Sequence, residues 1–199
     1  MRKLVLATRN LHKVEEIKAM LAGLPLEVVS VSDYPEAPEV VEDGKTFQAN
    51  AAKKAETIAR YTGEWTLADD SGLEVEFLQG KPGVYSARFA GEDASDAENN
   101  AKLLGLMKDV PREKRGAQFR SVIAIARPGE ETLFAEGICR GLVGTEAKGF
   151  NGFGYDPLFV LPELGKTYAE LTPEEKNRVS HRARAMEKAR EILAKLTAS

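Results

Sequence analysis

In the run Leu67-Ala68-Asp69-Asp70-Ser71-Gly72-Leu73 a short apolar segment meets two adjacent carboxylates, a hydroxyl and a glycine. Neighbouring carboxylates repel each other, so the pair costs stability unless a cation sits with it. A divalent metal is the usual answer, and hard oxygen ligands suit Mg²⁺, which keeps several waters and bridges one or two carboxylates to phosphates. Asp, Ser and Gly are equally the residues of a turn that ends a strand. The segment alone leaves both readings open. Glu42-Asp43, further upstream, supplies acids that could join the same metal.

Two predicted helices begin with cations. After Thr8-Arg9, Asn10 can cap a helix whose first turn holds Leu11, His12 and Lys13. Ser180 can cap another that opens with His181, Arg182 and Arg184. A first turn favours Asp or Glu, because the helix dipole presents partial positive charge there. Free N–H groups at such a start bind anions, so two cationic starts suit the ends of one anionic or keto-bearing ligand. A solvated basic helix start is the alternative. The spacing is not that of a Walker A loop.

In a third helix, predicted over 46–61, Thr46, Asn50, Lys53 and Thr57 form one polar stripe beside an apolar stripe of Phe47, Ala51, Ala55 and Ile58. The polar stripe could edge a cleft while its neighbour packs on a sheet; an exposed lysine is the plain reading of Lys53. In Gly152-Phe153-Gly154-Tyr155-Asp156-Pro157, aromatics on a glycine-rich turn are poor core material and good platforms for a nucleobase. A tight turn with inward-packed rings would have the same composition.

These groups need a scaffold, and the hydrophobic pattern outlines one. Leu4 to Ala7 reads as a strand buried on both faces, 27–31 as a second strand and 65–69 as a third that ends at the acidic pair. Residues 73–78 read as a further strand or hairpin, and 79–95 as a long surface loop of the kind that often carries function. Helical pattern returns over 96–107. Two β-rich runs, 119–126 and 131–140, flank the turn signal Arg127-Pro128-Gly129-Glu130. The last helix places Met186, Ala189, Leu193 and Leu196 on one face. Alternating strands and helices followed by a hairpin predict an α/β fold with a mixed sheet.

At 199 residues the chain suffices for one substantial core or two lobes on one sheet. A formal charge of −3 argues against a broad duplex-binding surface, so no nucleic-acid partner is expected, and it leaves room for a local anion pocket. Cys139 is the only cysteine, which rules out an intramolecular disulfide and fits a reducing compartment. No apolar run has spanning length, and Met1-Arg2-Lys3 leads into a short strand and not a signal core. The expectation is a cytoplasmic protein with no membrane partner. With His12 and His181 the only histidines, a His-rich zinc site is not expected.

Taken in order, Thr8…Lys13, Gly44-x-Thr46-Phe47-x-x-Asn50-Ala51 with Lys53, Ala68-Asp69-Asp70-Ser71-Gly72-Leu73, Gly83-x-x-Ser86-Ala87-Arg88, Gly152-Phe153-Gly154-Tyr155-Asp156-Pro157 and Ser180-His181-Arg182 resemble the inosine/xanthosine triphosphate pyrophosphatase family over nearly the whole chain. The resemblance implies one domain, 1–199, with a two-lobed ITPase-like α/β fold, a central mixed β-sheet flanked by helices and an active-site cleft between the lobes. It implies a homodimer that hydrolyses deaminated purine nucleotides (ITP, dITP, XTP) to the monophosphate and pyrophosphate, with Mg²⁺, cleansing the nucleotide pool. By the same resemblance Thr8, Arg9, Asn10, Leu11, His12 and Lys13 would hold the triphosphate, and Glu42 and Asp70 the metal. Asp70 or Asp69 would help activate water, Asn50 and Lys53 would steady phosphate or water, and Ser71 would touch substrate. Phe153 would stack on the base, with Gly154 beside it. Tyr155, Asp156, Lys176, His181 and Arg182 would shape and read the base pocket. One departure stands out: Ala49 occupies the position before Asn50 where the family usually has Glu, so a metal site here would lean on Glu42, Asp69 and Asp70.

Deamination turns the 6-amino donor of adenine into a 6-keto acceptor, which donors such as Lys176 and Arg182 would reward. An amino group facing those donors would be mispaired, and mispaired polar groups in a dry pocket discriminate strongly. Guanine is also 6-keto, and how it would be rejected is not written in the sequence. Two alternatives share these residues: a related pyrophosphatase for other modified or pyrimidine triphosphates, and a nucleotide sensor without catalysis.

Overall fold

The computed structural model describes residues 1–198. Strand β1 (Arg2–Leu6) contains Leu4, Val5 and Leu6 with no exposed surface, as the continuous apolar run requires. Helix α1 (Leu11–Leu21) follows; Asn10 caps it by accepting the Lys13 N–H, and Val14, Ile17 and Leu21 form its buried face. Strand β2 (Leu26–Ser30) pairs parallel with β1. Helix α2 (Phe47–Thr62) is capped by Thr46 and ends at Gly63 in the left-handed region. Strand β3 (Trp65–Val75) also runs parallel to β1.

Helix α3 (Asp96–Leu106) starts with a capping box formed by Ser95 and Glu98. Strands β4 (Gly116–Ala126) and β5 (Leu133–Val143) enclose the expected turn at Arg127–Glu130. Two short strands, β6 (Phe159–Leu161) and β7 (Lys166–Thr167), precede helix α4 (Pro173–Val179) and helix α5 (His181–Thr197). The seven strands hydrogen-bond in the order β2-β1-β3-β4-β5-β6-β7. β2, β1 and β3 are mutually parallel where they pair, while β5, β6 and β7 are antiparallel, so the sheet is mixed as expected.

The largest difference from the sequence reading lies in β3. The acidic pair does not end a strand: Asp69 and Asp70 lie inside an eleven-residue one that continues to Val75. Residues 76–78 form a 3₁₀ turn instead of a further strand, and the segment expected to be one long loop contains another 3₁₀ turn over Gly83–Arg88. The pattern reading missed α4, although Thr172-Pro173-Glu174-Glu175 is a capping-box sequence with proline at the first helical position.

The chain divides into two compact units. The first comprises Met1–Asp70, Ser121–Gly137 and Arg182–Ser199; the second comprises Ser71–Arg120 and Ile138–His181. Strands β3, β4 and β5 each begin in one unit and end in the other. In the first unit, Leu4, Leu6, Ile17, Leu67, Ile123 and Ile125 pack with Met186, Ala189 and Leu193 of α5. In the second, Leu73, Leu103, Met107, Phe119, Phe159 and Tyr168 form a separate core. There the buried Arg115 ties the end of α3 to β5: its guanidinium donates to the carbonyls of Met107, Val110, Val143 and Gly144.

Candidate active site

The two carboxylates at the centre of β3 are both buried and differ in what holds them. Asp69 is satisfied by the protein: Ser121 Oγ donates to Oδ1 at 2.5 Å, while Oδ2 faces Lys13 Nζ at 3.0 Å and Arg182 Nη2 at 3.4 Å. Arg182 is itself buried and pairs with Glu16 at 2.6 Å. The cationic start of α5 therefore has partners within the first unit, and so does Lys13 at the start of α1. A charge cluster of this kind makes Asp69 an anchor for Lys13 and Arg182.

Asp70 is arranged differently. Its Oδ1 lies 3.9 Å from Lys54 Nζ, and its Oδ2 is buried without a hydrogen-bond partner. Lys54 also contacts Glu42 Oε1 at 2.5 Å and donates to the main-chain carbonyl of Asp69 at 2.7 Å. Burial pushes the Asp70 carboxyl up to about 6, assisted by the charges of Glu42 and Asp69 and opposed by Lys54 and Lys13. Among the described residues no group of three or more His, Cys, Asp or Glu side chains is gathered as a ready metal cage. Two carboxylates, one with an unused buried oxygen, are the partial set of hard ligands that suits a cation completed by water and phosphate.

Asn50 and Lys53 are placed apart from that role. Asn50 is fully buried, and its amide is engaged with Gly44: Oδ1 accepts the Gly44 N–H at 2.7 Å and Nδ2 faces the Gly44 carbonyl at 3.4 Å. It thereby holds the segment that carries Glu42. A Cβ on Gly44 would stand 2.6 Å from Asn50 Oδ1, which explains the glycine. Lys53 lies on the exposed side of α2, where its Nζ donates to Asp43 at 2.8 Å and to the Val41 carbonyl at 2.9 Å. That bond lowers the Asp43 carboxyl below its ordinary range. The helix lysine beside Asp70 is Lys54. One signal could have found it: Lys54 is i+4 from Asn50 and so shares its face.

At the start of α1, Thr8 Oγ1 accepts the Asn10 N–H and the Thr8 carbonyl accepts from Ser30. Arg9 donates to the Ala37 carbonyl, and Leu11 and His12 are exposed. No acidic side chain sits in this first turn. The turn thus keeps the dipole and basic character expected of an anion site.

In the second unit the glycine–aromatic turn is built around Asp156. Its buried Oδ2 accepts the Phe153 N–H at 3.1 Å and pairs with the buried Lys176 at 2.8 Å. Lys176 Nζ sits 4.8 Å from the centroid of the Phe153 ring. Tyr155 is buried and donates to the Ser86 carbonyl at 2.6 Å; burial, aided by Asp96, raises its phenol, so it acts as a neutral donor. His181 stacks on Phe119 at 4.7 Å, within a column that includes Tyr168. Ser71, half-buried on β3, is the first residue of this unit.

Gly152 carries a positive φ of 74°, and a Cβ there would stand 2.0 Å from Asp156 Oδ2. Gly152→Ala is therefore expected to lower stability by about 1–3 kcal/mol, read by urea unfolding. An unchanged unfolding midpoint would mean that the turn relaxes without using this approach.

The profile of the Ham1 family matches residues 4–192. The chain belongs to the Ham1 family. It is 56% identical over 194 residues to the dITP/XTP pyrophosphatase of Desulforamulus reducens, covering 98% of this chain and 96% of that one. It is 54% identical to the dITP/XTP pyrophosphatase of Geobacter sulfurreducens, covering 94% of each. Among solved structures, a HAM1 protein from Coxiella burnetii superposes with a TM-score of 0.91 at 38% identity, over 98% of this chain and 100% of that one. The nucleoside-triphosphatase / dITP/XTP pyrophosphatase of Mycobacterium abscessus gives 0.78 at 45% identity, over 94% and 98%. The α/β fold expected from the motifs is thus a Ham1 fold. Within this Ham1 chain, sequence reasoning missed Lys54, Glu16 and Ser121. Glu16 is i+3 from Lys13, and Ser121 is a fully buried hydroxyl opening the apolar end of β4.

Proposed function

We propose that this protein hydrolyses deaminated purine nucleoside triphosphates (ITP, dITP and XTP) to the monophosphate and pyrophosphate. The observation that carries the reading is Asp70: a buried carboxylate with an unused oxygen, next to Lys54 and Glu42, in a chain 56% identical to a dITP/XTP pyrophosphatase. Glu42 and Asp70 would hold Mg²⁺, which when bound would neutralise charge on the phosphates. Lys13, Lys54 and the first turn of α1, with Thr8, Arg9, Asn10, Leu11 and His12, face the triphosphate. Phosphoryl chemistry needs positioning and charge neutralisation more than a covalent nucleophile, and this cluster supplies both.

Asp69 keeps Lys13 and Arg182 in place, while Asp70 orients the attacking water and, when ionised, accepts its proton. Asn50 keeps the Glu42 segment in register, and Lys53 contributes at the rim. For the base we assign Phe153 as the stacking platform, Lys176 and Arg182 as donors to the 6-keto group, and Tyr155, Asp156, His181, Gly154 and Ser71 as its surroundings. Adenine would place an amino group against those donors. The working form we propose is a homodimer of single-domain chains, 1–199, acting in the cytoplasm without nucleic-acid or membrane partners. Among the described residues no helix is long and apolar enough to cross a membrane.

Assaying the purified protein with Mg²⁺ against ITP, XTP, dUTP, ATP and GTP tests the reading. Turnover of ITP and XTP at least about a hundredfold above ATP is expected, the size of discrimination that mispaired polar groups provide. Preference for dUTP would favour the pyrimidine alternative, and binding without turnover the sensor.

A further inference from the structure

Helix α3 holds the glycine–aromatic turn by its main chain. Gly154 N–H donates to Asp96 Oδ2 at 2.8 Å, and the Gly154 carbonyl accepts from Asn100 Nδ2 at 3.0 Å. Asp96 and Asn100 are four residues apart, hence on one face of the helix. Gly154 has a positive φ of 61°, and a Cβ there would meet nothing within 4 Å, so no neighbour on that side restrains it. The two side-chain bonds do so instead. They set the peptide planes on both sides of Gly154, while Asp156 sets the plane before Phe153. Phe153 is therefore held at the peptide on each side, and the direction in which its ring leaves the chain is predetermined.

The same helix supports the neighbouring segment. Asn99 accepts the Ala90 N–H at 2.8 Å and donates to the Ala87 carbonyl at 3.0 Å, and Tyr155 reaches Ser86 from the other side. The first turn and a half of α3 is thus a bracket for two loops. Asn100 Oδ1 is buried without a partner, because the Gly154 carbonyl dictates which end of the amide faces it. Leaving a buried acceptor unpaired is costly, so holding Gly154 is the interaction for which this amide is kept.

We infer that Asp96 and Asn100 are positioning residues for base recognition: they preset Phe153 for stacking without touching the phosphates. The inference rests on the pyrophosphatase reading above. A stacking platform ordered before binding spares the ordering cost on association, so losing the order weakens nucleotide binding and leaves the chemical step intact.

The test compares the parent with Asp96→Ala, Asp96→Asn and Asn100→Leu. Asparagine at 96 keeps an acceptor for the Gly154 N–H, and leucine at 100 keeps volume and helix propensity while removing the donor. KM and kcat for ITP are measured together with the inhibition constant of inorganic pyrophosphate, which has no base. Asp96→Ala and Asn100→Leu are expected to raise KM about tenfold, the effect of one lost hydrogen bond, with kcat within about twofold. The pyrophosphate constant should not move, and Asp96→Asn should restore the parental KM. Unchanged KM in both variants overturns the inference, as does a parallel loss of pyrophosphate binding or an Asp96→Asn variant no better than Asp96→Ala. If the parent itself does not turn over ITP, the pyrophosphatase reading fails and the inference with it; if it does and the variants match it, the inference fails alone.

Discussion

Replacing Asp70 by asparagine is expected to reduce ITP turnover by about a thousandfold or more while making the metal-free protein more stable at neutral pH. The activity loss follows from removing the carboxylate proposed to bind metal and accept the proton from water. The stability gain follows from burial. In the folded chain the Asp70 carboxyl titrates near 6, above its ordinary 3.8, so the native state holds this proton more tightly than the unfolded state does. Folding then takes up a proton between about pH 4 and 6, and the contribution of Asp70 becomes progressively less favourable as pH rises through that window. Above it, the buried charge costs up to about 3 kcal/mol, and a neutral asparagine avoids that cost. Below about pH 4 both carboxyl states are protonated and the advantage vanishes. Urea unfolding at pH 4 and pH 8 in a chelator reads this directly. A variant less stable than the parent at pH 8, or one with near-parental turnover, would remove Asp70 from the role assigned here.

Lys54→Met should be nearly as damaging, and Lys53→Met should not. Lys54 is the buried cation that joins Glu42, the Asp69 carbonyl and Asp70; without it two carboxylates face each other with one positive neighbour fewer. The expected result is a loss of about 10²–10³ in kcat/KM, of the order seen when a transition-state charge stabiliser is removed. Loss of the charge also raises Asp70 further, so the acid limb of the pH–rate profile should move to higher pH. Lys53 is tied to Asp43 at the surface, and such pairs contribute little. Its variant should retain activity within about fivefold. Equal losses in the two variants would show that the helix face does not separate their roles.

How far the chain could be read without its fold depends on the kind of signal each group leaves. Apolar pattern suffices for β1, α1 and α2: an unbroken run marks a strand buried on both faces, and the helices repeat their apolar residues at helical spacing. Pro173 and Glu175 advertise α4, yet its seven residues are too few for a hydrophobic repeat to show. The end of β3 was misplaced for a physical reason. Asp-Asp-Ser-Gly is turn chemistry by composition, and only Lys13, Lys54 and Arg182 around it allow a strand to carry two carboxylates through the interior. The same neighbours separate Asp69 from Asp70, a distinction that spacing could not draw. Lys53 and Lys54 differ by one residue and by about 100° around the helix, so a stripe drawn through either looks polar. Asp96 and Asn100 left no signal at all, since their work is done on the main chain of a glycine more than fifty positions away.

The claim on which everything else depends is cleavage between the α- and β-phosphates of a deaminated purine nucleotide. Phosphorus NMR of the purified protein with ITP and Mg²⁺ tests it in one spectrum. Stoichiometric IMP and pyrophosphate are expected; IDP and orthophosphate, or unchanged ITP, would overturn the proposed cleavage.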